Sequence, residues 1–323
     1  MAQVNTVLGP IRPEEMGITA MHEHIGFGVP GWQYVPERWW EETDRFEKVT
    51  NDLLDFKMVG CVTFVDLSGI GMGRDPDFYA CVSRSSGVHI VAATGFWEER
   101  GILGYFRDKD IDYLEELFVH EITQGMNETN IKAGIIKVGN SDSEMTAFEE
   151  KMYRAAARAA KRTGVAVTTH GPKMARKQME VLLSEKLDIS RIIIGHRDNA
   201  NALDMELDKE LCRQGVFIGY DTIGSEEYSP MPYVMADGIR VDMVKKMVDL
   251  GFVNNLLLSM DTSSWGLGWG RNIGPSRIPN GPALHGYSHM VRYFVPMLQK
   301  AGISEKDIHV MLVENPKRAL PMG

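Results

Sequence analysis

The chain is poor in cysteine. Cys61, Cys81 and Cys212 lie far apart and form no C-x-x-C pair, which excludes a disulfide framework and a thiolate zinc site and fits a reducing compartment. Basic residues are also in deficit, with 35 Lys and Arg against 44 Asp and Glu and a formal charge of -9. Nucleic acids and anionic membranes reward clustered Lys and Arg, so neither is expected as a partner, and a small molecule is. No apolar run approaches membrane-spanning length, and the opening Met1-Ala-Gln-Val-Asn-Thr6 has neither the basic nor the apolar region of an export signal. A cytoplasmic protein is expected. No linker, charge block or low-complexity segment divides the sequence, so residues 1–323 are read as one domain, whose 44% hydrophobic content can bury a large core.

What is present is a repeated unit: a short β-branched apolar run, a loop, then an amphipathic helix-like segment. The runs fall at 18–25, 62–68, 89–97, 134–140, 165–170, 191–198, 216–221 and 256–262. Eight such units predict parallel strands joined by right-handed crossovers and closed into a (β/α)8 barrel of the α/β class. An open doubly wound sheet is disfavoured because no Gly-x-Gly-x-x-Gly turn follows an early strand. Helices are predicted at 110–126 and 144–163, each stopping near a glycine. Two long loops stand out. Residues 26–43 carry Trp32, Tyr34, Trp39 and Trp40, and residues 263–286 carry Trp265 and Trp269. Long loops of this kind are commonly functional lids.

In such a barrel the C-terminal ends of the strands converge on one pocket. Those ends supply His22 and His24, two apart and therefore on one face of a strand, then Lys137, His170, His196 and Asp261. Four imidazoles, a carboxylate and a strand lysine suit a borderline divalent metal, zinc first and Mn, Co or Fe next. A single strand-end histidine is more often a satisfied residue than a ligand, but four of the nine histidines fall at strand ends. Lys137 lies amid Ile135, Ile136 and Val138, where burial favours the neutral amine. A neutral amine can add CO2, and the resulting carbamate can bridge two metal ions. The bland alternative is a lysine paired with a nearby acid. Asp261 is read as a ligand that also takes the proton of an attacking water, or as a cap for the loop that follows it. Asp66, Asp198 and Asp221 are assigned to hydrogen bonding behind the ligands.

These residues resemble a known family. The segments Thr6-Val-Leu-Gly-Pro10, Met21-His-Glu-His24, Ile136-Lys-Val138, Thr169-His-Gly171, Ile194-Gly-His-Arg-Asp198, Leu258-Ser-Met-Asp261 and Glu314-Asn-Pro-Lys-Arg318, in this order, resemble the phosphotriesterase family of the amidohydrolase superfamily. The resemblance runs nearly end to end. It implies that His22, His24 and Asp261 hold the more buried of two divalent ions and that His170 and His196 hold the more exposed one. Carboxylated Lys137 and a hydroxide would bridge them. It also implies a homodimer.

The family includes phosphotriester hydrolases, lactonases and phosphorylated-sugar lactonases. Its quorum-lactone hydrolases carry an Arg after strand 7, where this chain reads Tyr220-Asp-Thr-Ile-Gly224, and favour a Tyr after strand 3, where it reads Phe96-Trp97. These departures argue against an acyl-homoserine lactone. Arg197, Arg271 and Arg277 are candidates for a phosphate pocket, with ordinary surface contacts as the alternative. Trp97, Trp265, Trp269, Tyr220 and Arg197 are taken as substrate-contacting residues, and the tryptophans point to an apolar or aromatic substrate. The expected activity is hydrolysis of an ester or lactone carbonyl, with phosphotriesters also turned over. The alternatives are a phosphotriester or amide/carbamate hydrolase, and a ligand-binding homologue without catalysis.

Overall fold

A computed structural model of the protein describes residues 2–28, 30–34, 42–141, 144–225, 235–267 and 286–322. Eight parallel strands form one sheet in chain order: β1 (Ile18–Glu23), β2 (Cys61–Asp66), β3 (His89–Thr94), β4 (Ile135–Gly139), β5 (Val167–His170), β6 (Ile192–Ile194), β7 (Phe217–Tyr220) and β8 (Leu256–Leu258). The turn after β8 comes back against β1. Asp261 donates its N–H to the His22 carbonyl at 3.0 Å, and His24 donates to the Thr262 carbonyl at 2.8 Å. The result is a nearly closed (β/α)8 barrel.

Alternation along the strands sorts the side chains. Val65, Val91, Ala93, Ile135, Ala166, Ile193, Phe217 and Leu257 pack together inside the barrel. Phe64, Ile90, Ala92, Ile136, Val138, Val167, Ile194, Ile218 and Leu258 face outward into the larger core shared with the helices. The helices of this outer layer include α1 (Glu42–Met58), α2 (Pro76–Ser86), α3 (Ile111–Thr123), α4 (Ala147–Thr163), α5 (Ala175–Ser184), α6 (Met205–Gln214) and α7 (Asp237–Asp249). Among the described residues no helix is long and apolar enough to cross a membrane.

The predicted helices are found, three residues shorter at one end or trimmed at both. Thr146 and Glu149 form a reciprocal capping box that starts α4 at Ala147, and Gly164 ends it at φ 80°. Asp110 caps α3 by accepting from the Tyr113 N–H. Two strands stop early. The runs 191–198 and 256–262 were expected to carry His196 and Asp261 within them, but β6 ends at Ile194 and β8 at Leu258. The cause is local: His196 sits at φ 55° and Asp261 at φ 50°, left-handed conformations that leave the ladder.

The described parts of the two long loops are ordered against each other. Phe27–Gly28 pairs in parallel with Gly266–Leu267, and the Phe27 N–H donates to the Trp265 carbonyl at 3.0 Å. Trp39, Trp40 and Trp269 lie outside the described residues.

Candidate metal centre

At the C-terminal mouth of the barrel the strand-end residues from β1, β4, β5, β6 and β8 meet. Lys137 Nζ lies 3.2 Å from His22 Nε2, and His170 Nδ1 lies 2.8 Å from His196 Nε2. Asp261 Oδ1 is 3.1 Å from His24 Nε2 and 3.6 Å from His22 Nε2. His22, His24, His196 and Lys137 are buried, and Asp261 is partly open to solvent. A register shift in β1 between Ala20 and Glu23 accompanies the turn of His22 into this ring.

The groups behind the ring fix which nitrogen each imidazole presents. Asp221 Oδ2 accepts from His22 Nδ1 at 2.7 Å, and Oδ1 accepts from His196 Nδ1 at 2.9 Å. Ser68 Oγ donates to the Gly26 carbonyl at 3.1 Å, so it accepts from His24 Nδ1 at 2.8 Å. All three rings therefore turn a lone pair on Nε2 toward the centre. Two of these lone pairs face the Asp261 carboxylate, with no proton between them to share. Donors of this chemistry could hold a cation. His22, His24 and Asp261 offer ligand atoms within 4.8 Å of one another. Asp221 also falls within that distance of His22 and His196, but it touches their Nδ1 side and so stands behind the ligands.

The ionisation of the ring suits the same purpose. Burial, reinforced by Lys137, pushes the His22 imidazolium down to about 4, and burial with the His196 charge holds His170 well below its ordinary value. Both are neutral imidazoles. Burial also pushes the Lys137 ammonium down, to about 8. For Asp221 burial works upward, but His196 and His22 outweigh it and keep the carboxylate ionised.

A family model matches residues 2–320 and is that of the phosphotriesterase family. The chain belongs to the phosphotriesterase family. It is 31% identical to a phosphotriesterase homology protein of Mycobacterium tuberculosis, over 98% of this chain and 97% of that one. It is 28% identical to an aryldialkylphosphatase of Saccharolobus solfataricus (95% and 96% covered) and 26% identical to an N-acetyltaurine hydrolase of Xenopus tropicalis (98% and 97%). A solved structure described as "Molecular Engineering of Organophosphate Hydrolysis Activity from a Weak Promiscuous Lactonase Template" superposes with a TM-score of 0.89 at 31% identity, covering 98% of this chain and 99% of that one. As a phosphotriesterase-family member the chain is a hydrolase, and the family's metal dependence agrees with the donor set at the barrel mouth.

In this phosphotriesterase-family barrel the expected substrate contacts fare differently. Trp97 borders the centre, its ring edge-on to His170 at 5.5 Å and to Phe27 at 6.3 Å. Trp265 is one layer further out, buried against Trp32 at 5.1 Å. Arg197 and Tyr220 are not brought to the ring. Arg197 is buried, with its guanidinium on Asp208 Oδ1 at 2.7 Å and the Pro172 carbonyl at 2.7 Å, and the Tyr220 hydroxyl donates to Asp208 Oδ2 at 3.0 Å. Both brace the barrel against α6. Arg271, Arg277 and Trp269 lie outside the described residues.

Three groups support the ring, Asp198 in the role expected for it and Glu23 and Arg240 without having been singled out. Glu23 clamps the turn that bears Asp261; Asp198 accepts from the Asp221 N–H at 3.0 Å; and Arg240 completes Asp198 at 2.8 Å. The position of Glu23 between His22 and His24 was the available signal for it. Nothing in the pattern of α7 marks Arg240.

Proposed function

We propose that the protein is a binuclear metal-dependent hydrolase of an ester or lactone carbonyl, with phosphotriester hydrolysis at the same site. His22, His24 and Asp261 would hold one divalent ion, zinc before Mn, Co or Fe, and His170 and His196 a second, with N-carboxylated Lys137 shared between them. The observation that carries this reading is the set of inward-turned Nε2 lone pairs facing Asp261 with the Lys137 amine 3.2 Å away. When bound, the ions supply Lewis acidity toward the carbonyl or phosphoryl oxygen and lower the pKa of a water to near neutrality.

The chain's own residues do the rest. With an ammonium pushed down to about 8, roughly a tenth of Lys137 is the neutral amine at pH 7. That amine attacks the carbon of CO2 and releases one proton, leaving a carbamate. Asp261 is ionised, its carboxyl held below the ordinary value despite burial, and it is partly open to solvent. It takes the proton of the attacking water and passes it outward. Trp97, against His170, supplies an apolar wall for the substrate. The names of the relatives support both carbonyl and phosphoryl substrates. The likeness to an N-acetyltaurine hydrolase favours a second reading, amide hydrolysis, in which Asp261 would return its proton to the leaving nitrogen.

The test is elemental analysis of protein purified without added metal or chelator, followed by turnover of lactones, aryl esters, phosphotriesters and N-acyl amides. About two ions per chain, with turnover lost on chelation and restored by Zn, Mn or Co with bicarbonate, is the expected result. No metal and no turnover after that supplement would replace the hydrolase with a ligand-binding homologue.

A further inference from the structure

Asp221 touches one histidine from each half of the proposed centre, and its two oxygens are not equivalent. Oδ1 accepts twice from His196, from the ring Nδ1 at 2.9 Å and from the backbone N–H at 2.9 Å. Oδ2 accepts, among the described residues, from His22 Nδ1 alone, at 2.7 Å. The carboxylate cannot rotate away from these partners. Its own N–H is tied to Asp198 Oδ1, and Asp198 Oδ2 is held by the Thr222 N–H at 3.0 Å and by Arg240 Nε at 2.8 Å. A glycine in β7 and one just after β6 make the room: a Cβ at Gly219 would lie 2.7 Å from Oδ2, and one at Gly195 would lie 3.1 Å from it. Asp198, Asp221 and Arg240 are all buried.

We infer that Asp221 is a shared positioning residue that sets the tautomers of His22 and His196, one oxygen serving each half of the centre. The inference rests on the metal-centre reading for its consequence, but not for the tautomers themselves. An ionised carboxylate only accepts, so both rings must carry their proton on Nδ1.

The asymmetry makes a specific consequence follow from Asp221→Asn. An amide has one accepting and one donating end, and the two His196 N–H groups hold the accepting end at the Oδ1 position. The NH2 group then faces His22 Nδ1, which must become the acceptor. In that tautomer His22 carries its proton on Nε2, toward Lys137 and Asp261, and has no lone pair to offer an ion. His196 is unchanged.

The tautomers can be read directly by long-range proton–nitrogen NMR of histidine-labelled, chelated protein near pH 9, where the imidazoles are neutral. Wild type is expected to show Nδ1–H at both His22 and His196. In Asp221→Asn only His22 switches, and the metal content falls from about two ions per chain to about one. Ser68→Ala, whose hydroxyl touches His24, should leave both rings as in wild type. An Nε2–H ring at His22 or His196 in wild type overturns the inference, and so does a variant in which both rings or neither switches, or a switch in Ser68→Ala. The wild-type spectrum decides even if Asp221→Asn does not fold. Expected tautomers in a wild type that takes up no metal would count against the hydrolase reading and leave the Asp221 assignment standing.

Discussion

Glu23 holds the backbone on both sides of Asp261. Its Oε1 accepts the Met260 N–H at 2.9 Å and its Oε2 the Thr262 N–H at 3.0 Å. Ser259 Oγ donates to the same Oε1 at 2.7 Å and accepts the His22 N–H at 2.8 Å. The residue between His22 and His24 thus faces away from the centre and ties the end of β1 to the turn after β8. It also stabilises a non-glycine residue at φ 50°, a conformation that persists only where its surroundings hold it.

Glu23→Gln keeps the volume but puts an NH2 group against one backbone N–H. With Oε1 taking two donors, the amide oxygen stays there and the NH2 faces Thr262. A buried donor without an acceptor costs about 1–3 kcal/mol, and the turn that aims Asp261 loosens. The expected outcome is a lower urea midpoint with an unchanged m-value, and a fall in kcat of roughly 10- to 100-fold with little change in KM. A kcat equal to that of wild type would show that Asp261 is held by other means.

The buried imidazoles should cost the chelated protein stability as pH falls from about 6.5 to about 4. His22 has a lowered folded value near 4 against an ordinary 6.5, so in this window the unfolded chain binds more protons and stability falls with pH. His170, also held low, acts in the same direction. His196 opposes them: burial works downward on it, but Asp221 outweighs burial and raises it, so its contribution is lost on going up in pH. Among the rings two are lowered and one raised, a net loss on acidification, which the carboxyls raised by burial, Glu23, Asp66 and Asp198, oppose. From His22 alone the loss is roughly 3 kcal/mol. Melting curves of EDTA-treated wild type and His22→Asn at pH 7, 6, 5 and 4 should show Tm dropping more steeply in wild type, and parallel series would refute the burial argument.

Strand ends were legible because alternation and strand termini are properties of the sequence pattern. Lys137 and His170 follow by alternation from the inward Ile135 and Ala166, whereas His22, His196 and Asp261 were found as strand termini and reach the centre through the β1 register shift and the left-handed turns at His196 and Asp261. The failures have a physical cause as well. Arg197 was placed at the rim by continuing β6 through residue 198, but the left-handed turn at His196 ends the alternation and sends Arg197 back toward Asp208. Tyr220 was misplaced although the pattern contained the answer: Phe217 points into the barrel, so Ile218 and Tyr220 point to the helices. The role of Arg240 depends on α7 packing beside β7, and no local signal encodes that.

Trp97 separates a wall for the substrate from a seat for a ligand. Its ring meets His170, Phe27 and, on its face, the Arg100 guanidinium at 4.6 Å. Aromatic contacts of this kind contribute about 0.5–1.5 kcal/mol each beyond area burial. Trp97→Ala should raise KM for aryl esters roughly 3- to 10-fold and change it little for a small aliphatic lactone. Equal losses for the two substrates, carried by kcat, would assign Trp97 to seating His170 instead.

Gly26 tests whether the first and last loops act as one unit with the centre. A Cβ there would overlap the Trp265 indole, which itself leans on Trp32, while the Gly26 carbonyl accepts from the Ser68 hydroxyl that orients His24. Gly26→Ala must therefore displace either the indole or the backbone beside His24. Overpacking of this kind costs about 1–3 kcal/mol. Gly104, with nothing within 4 Å of a Cβ, is the control, and Gly104→Ala should stay within about 0.5 kcal/mol of wild type in a urea titration. If the loops and the centre are coupled, Gly26→Ala also lowers metal content on dialysis, because the displaced segment carries the acceptor chain to His24. A destabilised variant that keeps its full metal content would confine the effect of Gly26 to packing against Trp265.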